Sequence, residues 1–180
     1  MAPPAQLVLI GIGSNTGARA ELLQAAVAQL SALLPECRCS SIYETEPWQC
    51  PPNTPAFLNA VVLGLSSLPP DLLWGELARL ERSFGRLRTA APAWVRPLDL
   101  DLLLYGSWIL RSPLLTVPHP RLHQRRFVLV PAAEVAPTVR HPLFRLPLQE
   151  LLHRCDDPRC VRLYAPSPIP AAQCPSPSGS

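Results

Sequence analysis

The stretch LDLDLLLY at residues 98–105 decides the fold, because it completes a set of four predicted strands. Gly106 follows it directly and marks its end. Three earlier segments, at residues 7–12, 38–45 and 57–65, also have the length and composition of strands. The sequence therefore predicts four strands before residue 106, of which the last is the most aliphatic.

Two predicted helices separate these strands. In the first, apolar side chains recur at helical spacing from Leu22 to Leu34, and Pro35 ends the run. The second begins at Pro69-Pro70-Asp71, and Gly85 is a suitable residue for its C-terminal cap. The order β-α-β-β-α-β is that of the ferredoxin-like arrangement. The predicted fold class is therefore α+β, with a four-stranded antiparallel sheet backed by helices and a C-terminal extension.

The length of 180 residues and the mass of 19.7 kDa suit a single domain. We place that domain at residues 6–154, with a helical stretch near its end at residues 147–154. Prolines are frequent from Pro158 onward, and no periodic core pattern is visible there. Residues 155–180 are therefore predicted to form a Pro-rich, disordered tail.

The composition excludes several mechanisms. All 16 basic residues are Arg, so the chain lacks the lysine of a Walker A loop, a protein-kinase strand or a Schiff base. The net charge of +3 is too small to indicate a nucleic-acid partner. No signal-peptide pattern opens the sequence, and no apolar run is long enough to cross a membrane. These features predict a cytoplasmic protein whose six cysteines stay reduced.

Asp99 and Asp101 are the clearest chemical anomaly, since they interrupt the most aliphatic strand. Residues two apart on a strand point to the same face, so the two carboxylates would lie side by side. Such a pair in apolar surroundings is poorly solvated, and a bound cation would offset that cost. Oxygen ligands favour Mg²⁺, which needs only one or two carboxylates when phosphates complete its shell. A sheet with one solvent-facing side would show the same alternation, so the pattern alone leaves both interpretations open.

Arginines accumulate just before this strand. Arg86, Arg88 and Arg96 lie in a segment without periodicity, which we interpret as a mobile loop. Guanidinium groups match phosphate oxygens in two-point contacts, so such a loop next to paired carboxylates suits the binding of a polyphosphate with Mg²⁺. Two further arginines, Arg79 and Arg82, are better explained as the solvated end of a helix.

Three further features each have more than one interpretation. His119 and Arg125 could hydrogen-bond a nucleotide or simply contribute surface charge, whereas prolines beside His119 disfavour the helix that a zinc site with His123 would need. The glycines within residues 11–17 resemble part of a dinucleotide motif, but a tight turn between strand and helix explains them without a ligand. Asn59, inside an apolar strand, is either a satisfied core amide or a group that reads the edge of a ligand.

Six motifs taken together resemble a known family. They are IGIGSN at residues 10–15, YETEPW at 43–48, FLN at 57–59, FGR at 84–86, LDLD at 98–101 and VPH at 117–119. Their order and spacing are similar to those of the hydroxymethyldihydropterin pyrophosphokinases of folate biosynthesis, over about residues 6–153. Where that family usually carries Trp-Gly-Pro-Arg, this chain has Trp94-Val95-Arg96, which is one residue shorter.

The resemblance implies an enzyme, a diphosphotransferase that uses ATP. In the family, the terminal diphosphate of ATP passes to the hydroxymethyl group of 6-hydroxymethyl-7,8-dihydropterin, and AMP leaves. By resemblance, Asp99 and Asp101 hold two Mg²⁺ ions, and Arg86 and Arg96 contact the transferring phosphates. The positions matched to the ATP side are Glu81, Arg88, Leu102, Thr116, His119 and Arg125. The positions matched to the pterin pocket are Thr45, Pro47, Trp48, Phe57, Asn59, Trp94 and Phe127.

Two other functions compete with this one. A non-catalytic descendant that binds a pterin or a nucleotide would fit the shortened segment Trp94-Val95-Arg96. An RNA-binding ferredoxin-like domain would need a pattern of strand aromatics that the sequence does not offer, and Asp99 and Asp101 would repel a phosphate backbone. We therefore expect ATP and the pterin as small-molecule partners, with no nucleic acid, no membrane and a monomeric chain.

Overall fold

The computed structural model describes residues 4–47, 49–85 and 94–169. Its strands are β1 (Gln6–Ser14), β2 (Arg38–Cys39), β3 (Ile42–Thr45), β4 (Phe57–Ser66), β5 (Asp99–Tyr105), β6 (Leu110–Arg111), β7 (Thr116–Val117) and β8 (Val161–Ala165). Its helices are α1 (Arg19–Leu33), α2 (Pro70–Ser83), α3 (Arg126–Val135) and α4 (Leu148–His153), with a short 3₁₀ helix at Leu122–Gln124. Within these ranges, no helix is both long and apolar enough to cross a membrane.

Six of these strands form one antiparallel sheet. Its order is β5-β1-β4-β3-β8, and β2 also pairs with β4, while β6 and β7 form a separate small ladder. The prediction of an antiparallel sheet with helices in a mixed α/β structure is confirmed. The predicted number of four strands is wrong, because one predicted strand is divided and the tail adds another.

The predicted strand at residues 38–45 is divided into β2 and β3 near Ser40. Ser40 donates its backbone N–H to the carbonyl of Val61 at 2.9 Å. In return, the Ser40 Oγ accepts the N–H of Val61, also at 2.9 Å. A side-chain hydroxyl thus replaces a backbone carbonyl in the ladder, and regular pairing resumes at β3.

Strand β8 lies in the segment for which the sequence predicts disorder, so that description is wrong for Val161–Ala165. This strand pairs with β3, with Val161 opposite Thr45. Strand β8 has no apolar periodicity because it is an edge strand held by backbone pairing, and its Leu163 is 67% exposed. Residues 170–180 lie outside the described residues, and the boundary between domain and tail stays a prediction.

The helices cover both faces of the sheet. Helices α1 and α2 pack on one face, against Val8, Ile10 and Ile12 of β1. Helices α3 and α4 pack on the other face, around Leu9 and Leu103. Because consecutive strand residues point to opposite faces, β1 contributes to both cores. The second face is also the one to which Asp99 and Asp101 point.

Helix α3 is the main element that the sequence analysis does not predict. Pro131 lies inside it and weakens the helical signal, since proline lacks the N–H for the helical hydrogen bond. Leu129 and Ala132 are nevertheless fully buried, so packing on the sheet outweighs local propensity. The predicted helix near residues 147–154 is confirmed by α4, and Gly85 has the left-handed φ of 87° expected just after α2.

Acid should destabilise the fold in part through His141, a buried residue beside the 3₁₀ helix. Its Nδ1 accepts the backbone N–H groups of Leu143 and Phe144. Burial, with a smaller effect of His123, lowers the pKa of His141 from 6.5 to about 4. The unfolded chain therefore binds a proton that the folded chain does not, and the free energy of unfolding falls as the pH drops through this interval.

The variant His141→Asn tests this, because its amide oxygen can accept the same two N–H groups without titrating. We expect its urea-unfolding midpoint to fall less between pH 6.5 and 4 than that of the wild type. Midpoints that fall equally in both proteins would contradict this account of His141.

Candidate active site

Two glycines of the central strand β1 lie beside the two aspartates of β5, and one of them also lies beside Asn59 of β4. Gly13 of β1 lies opposite Asn59 of β4 on one side and Asp99 of β5 on the other. In the next row on the same face, Gly11 lies opposite Asp101. Directly opposed residues of an antiparallel sheet share a face, so the three polar side chains point to the same side. The prediction that the carboxylates share a face is confirmed.

Gly11 and Gly13 leave space above this row. A methyl group on Gly13 would lie 3.2 Å from Asn59 Oδ1, and one on Gly11 would lie 3.4 Å from a methyl of Leu103. Both glycines are inside β1, so the explanation of them as turn residues is wrong. Gly17, with a φ of 70°, does belong to the turn that follows. The two strand glycines instead form the floor of a cavity.

This first cavity has a volume of about 310 Å³. Its lining includes five of the residues matched to the pterin pocket, namely Thr45, Phe57, Asn59, Trp94 and Phe127. Asn59 is 6% exposed, and its Nδ2 donates a hydrogen bond to Thr45 Oγ1 at 2.6 Å. The amide is therefore both a satisfied buried group and part of the cavity wall.

A second cavity of about 250 Å³ lies on the other side of the carboxylates. Its own lining includes Trp74, Ala78, Glu81, Leu100 and His119. The residues that line both cavities are Arg96, Asp99, Asp101, Arg121 and Arg125. All five are charged, so ligands in the two cavities would meet at a charged junction.

Each carboxylate of the junction has an arginine beside it. Arg96 Nη1 contacts Asp99 Oδ2, and Arg125 Nη1 lies 3.8 Å from Asp101 Oδ2. Burial lowers the pKa of Arg125, against a smaller opposing effect of Asp101. Burial would also lower the pKa of Arg96, but the nearby aspartates outweigh it and raise that pKa. Both guanidinium groups stay charged at neutral pH, which suits a site for a polyanion together with a cation.

Asn15 fixes the backbone that carries Arg96. Its Nδ2 donates to the carbonyl of Trp94 at 2.6 Å, and its Oδ1 accepts the backbone N–H of Arg96 at 2.7 Å. Its own N–H donates to the carbonyl of Arg96 at 3.0 Å. Asn15 is 2% exposed, so these bonds are shielded from water. The shortened segment therefore still brings Arg96 to the carboxylates.

Glu81 connects helix α2 to the strand that carries the aspartates. It is 4% exposed, and its Oε1 accepts the backbone N–H of Leu100 at 2.8 Å. Leu100 lies between Asp99 and Asp101 on β5. Glu81 thus helps to set the position of both carboxylates as well as lining the second cavity.

His119 is held in a defined orientation at the second cavity. Its backbone N–H donates to the carbonyl of Leu103 at 2.9 Å, and its Nδ1 accepts the N–H of Arg121 at 3.2 Å. Burial, with smaller effects of Arg125 and Arg121, lowers the pKa of His119 to about 4. The imidazole is therefore neutral at pH 7, with its proton on Nε2, from which it can donate a hydrogen bond.

The cavities bring together most but not all of the residues predicted for the site. Pro47, Leu102 and Thr116 are not among the described lining residues; Leu102 is 3% exposed and belongs to the core under α1 and α2. Trp48, Arg86 and Arg88 lie outside the described residues. His123 packs against the ring of Phe144, with centroids 4.7 Å apart, and the described residues contain no cluster of three metal-ligating side chains.

Arg121 is a functional candidate that the sequence analysis missed. It lines both cavities, and its Nη1 donates to Gln49 Oε1 at 3.2 Å, which joins the loop after β3 to the segment after β7. The available signal was its position two residues after His119, but no periodicity shows where a loop side chain points. Asn15 and the two strand glycines were also missed as site residues.

The chain is similar in sequence to known proteins over most of its length. The sequence profile described as 7,8-dihydro-6-hydroxymethylpterin-pyrophosphokinase (HPPK) matches residues 9–137. The chain belongs to the HPPK family. It is 37% identical over 144 residues to the 2-amino-4-hydroxy-6-hydroxymethyldihydropteridine pyrophosphokinase of Aquifex aeolicus, covering 79% of this chain and 88% of that one. With the protein of the same description from Synechocystis it shares 37% identity over 164 residues, covering 89% and 80%.

Part of each of two solved HPPK-DHPS structures has the fold of this chain. One from Plasmodium falciparum superposes with a TM-score of 0.68 at 12% identity, covering 84% of this chain and 46% of that chain. Another, solved in complex with substrates, gives a TM-score of 0.66 at 13% identity and is covered to 43%. This HPPK chain therefore spans less than half of those solved chains, and the likeness concerns the fold alone.

Proposed function

We propose that this HPPK family member transfers the terminal diphosphate of ATP to the hydroxymethyl group of 6-hydroxymethyl-7,8-dihydropterin and releases AMP. The observation that carries the proposal is that Asp99 and Asp101 lie where two cavities meet. A nucleotide and an acceptor ring in separate cavities would present their reacting ends to the same carboxylates. Phosphoryl-type transfer depends mainly on positioning and charge neutralisation, which this arrangement can supply.

Asp99 and Asp101 would hold Mg²⁺, two ions in our proposal. Their side chains are 16% and 40% exposed, so a cation and water can reach them. Two carboxylates are enough for Mg²⁺, which completes its shell with phosphate and water oxygens. When bound, Mg²⁺ draws negative charge away from the phosphate oxygens.

The second cavity would hold the triphosphate. In this assignment Arg96, Arg121 and Arg125 contact phosphate oxygens through their guanidinium groups, and the neutral His119 donates from Nε2. Glu81 acts by fixing β5 through Leu100. The remaining assignments on this side rest on family resemblance and concern Arg86, Arg88, Leu102 and Thr116.

The first cavity would hold the pterin. Phe57 and Phe127 offer aromatic faces for the ring, and Asn59, oriented by Thr45, offers an amide to its polar edge. Trp94 lines this cavity and is 42% exposed, so it can cover the solvent-facing side of a bound ring. The roles of Pro47 and Trp48 in this pocket rest on family resemblance.

Asn15→Ala should lower kcat about a hundredfold, because a displacement of about 1 Å at a catalytic group can cost that much. The variant loses both side-chain hydrogen bonds that hold the backbone of Trp94 and Arg96. Steady-state kinetics with both substrates measures the effect, with Gln24→Ala on the exposed surface of α1 as the control. A kcat equal to that of the control would mean that Asn15 does not position Arg96.

Product analysis tests the proposed function. The purified chain is incubated with ATP, Mg²⁺ and 6-hydroxymethyl-7,8-dihydropterin, and the products are separated by chromatography. We expect AMP and the pterin diphosphate in equal amounts, and neither when the pterin or the metal is omitted. ADP in place of AMP would contradict diphosphate transfer. Pterin binding without any product would support the non-catalytic alternative, which no feature of the site favours.

We regard β5, β1, β4 and β3 as a ferredoxin-like core to which β2 and β8 are additions, in keeping with the sheet order. A cytoplasmic location and a monomeric state stay predictions from the sequence.

A further inference from the structure

The tail segment before β8 reaches back to helix α3. Asp157 Oδ2 accepts the backbone N–H of Arg126, the first residue of α3, at 3.0 Å. Asp157 thus acts on the N-terminus of α3 from another segment: its carboxylate satisfies a free N–H of the first turn and lies at the positive end of the helix dipole. The tail thereby fixes the start of α3, whose residues Phe127 and Val128 line the first cavity.

Arg159 completes this contact from within the tail. Its Nε and Nη2 donate to the two oxygens of Asp157 at 2.6 and 2.5 Å, a two-point pair in which the side chains are 17% and 4% exposed. Burial alone would raise the pKa of Asp157, but hydrogen bonds from Arg159 and from the backbone of Arg126 outweigh it and lower that pKa. The pair is therefore charged, partly buried and fixed in geometry.

The guanidinium of Arg159 also lies over the ring of Phe127. Its Cζ is 6.0 Å from the ring centroid, and the Cζ of Arg125 is 5.6 Å from the same centroid. A cation within about 6 Å of an aromatic face is attracted to it. The ring of Phe127 is thus contacted by Arg159 of the tail as well as by Arg125, two residues earlier in the chain.

The same segment joins the opposite wall of the cavity. Immediately after this contact the chain enters β8, whose first residue, Val161, pairs with Thr45 of β3. Thr45 in turn accepts the amide N–H of Asn59. One short stretch, residues 157–161, therefore connects the wall that carries Phe127 with the wall that carries Asn59.

We propose that residues 157–161 form a clamp that positions Phe127 for the pterin, with Asp157 and Arg159 as its positioning residues. The identity of the ligand as a pterin rests on the proposed function, whereas the contacts of the clamp do not. Neither residue lines a cavity among the described residues, so each acts through Phe127 and the start of α3.

The test is Arg159→Met, which keeps the length of the side chain but removes its charge. We expect the KM and the Kd of the pterin to rise about three- to tenfold, with the KM of ATP unchanged. Arg159→Lys should recover part of the loss because it restores a cation over the ring. Arg162→Met on the exposed side of β8 is the matched control and should leave both constants unchanged. If both KM values rise together, or if Arg162→Met has the same effect, the clamp is excluded.

Two further measurements separate the clamp from the proposed function. The first measurement is a double-mutant comparison. When Phe127 is already replaced by Leu, adding Arg159→Met should change the pterin Kd less than twofold. If Arg159→Met raises the Kd as much in Phe127→Leu as in the wild type, Arg159 does not act through the ring.

The second measurement follows the ring of Phe127 by NMR. The chain has four phenylalanines, so ¹³C-labelled ring signals are few enough to assign. We expect the Phe127 signal to move in Arg159→Met and not in Arg162→Met, whether or not any product forms. A Phe127 signal that does not move in Arg159→Met would overturn the clamp. If that signal moves but the wild-type protein makes no pterin diphosphate, only the proposed function is overturned.

Discussion

Asp99→Asn and Asp101→Asn should each lower kcat at least about a thousandfold, because a metal-assisted transfer relies on its carboxylates for several kcal/mol. Asparagine keeps the volume of the side chain and removes its charge, so the sheet row of Gly13, Asn59 and residue 99 should be preserved. Initial rates at saturating ATP, pterin and Mg²⁺ measure the loss.

The control for this experiment is Asp71→Asn. Asp71 is an exposed carboxylate in the first turn of α2, away from both cavities. Its variant should retain wild-type rates, and circular dichroism should be the same for all three variants. Near-normal activity of either Asp99→Asn or Asp101→Asn would remove the assignment of the metal to the pair.

Arg96→Ala should have the second largest effect, a loss in kcat of about a thousandfold, comparable to the removal of an arginine that stabilises phosphoryl transfer. Arg96 lines both cavities and contacts Asp99, so its guanidinium lies where the transferring group would pass. The Kd of the pterin should change far less than kcat, since the proposed ring contacts belong to other residues.

Arg96→Lys refines this prediction. Lysine keeps the positive charge but not the planar fork, so its kcat should fall between those of the wild type and of Arg96→Ala. Arg79→Ala, at an exposed arginine of α2 that pairs with Glu76, is the matched control and should be neutral. An unchanged rate in Arg96→Ala would mean that the shortened segment does not deliver this arginine to the phosphates.

The sequence predicts the carboxylate pair well because strand periodicity is short and regular. Once residues 98–105 are a strand, Asp99 and Asp101 must share a face. The helices α1 and α2 are predictable for the same reason, since their apolar spacing and their ends at Pro35 and Gly85 are local signals. These features depend only on neighbours in the chain.

Features that depend on distant pairing are not predictable in this way. Strand β8 and the contact of Arg159 with Phe127 depend on segments more than 30 residues apart, and neither leaves a periodic signal. Gly11 and Gly13 look like turn residues until β1 is seen to run through to Ser14. The position of Arg96 is set by Asn15, which follows directly after strand β1 and is 81 residues away in the chain.

The central claim is that one pair of carboxylates serves two cavities, and a crystal structure with an ATP analogue, the pterin and Mn²⁺ tests it most directly. Mn²⁺ replaces Mg²⁺ and gives an anomalous signal that shows its position without interpretation of the surrounding density. We predict two anomalous peaks at the oxygens of Asp99 and Asp101, with the triphosphate in the second cavity and the ring in the first. Peaks away from both aspartates, or both ligands in one cavity, would contradict the account.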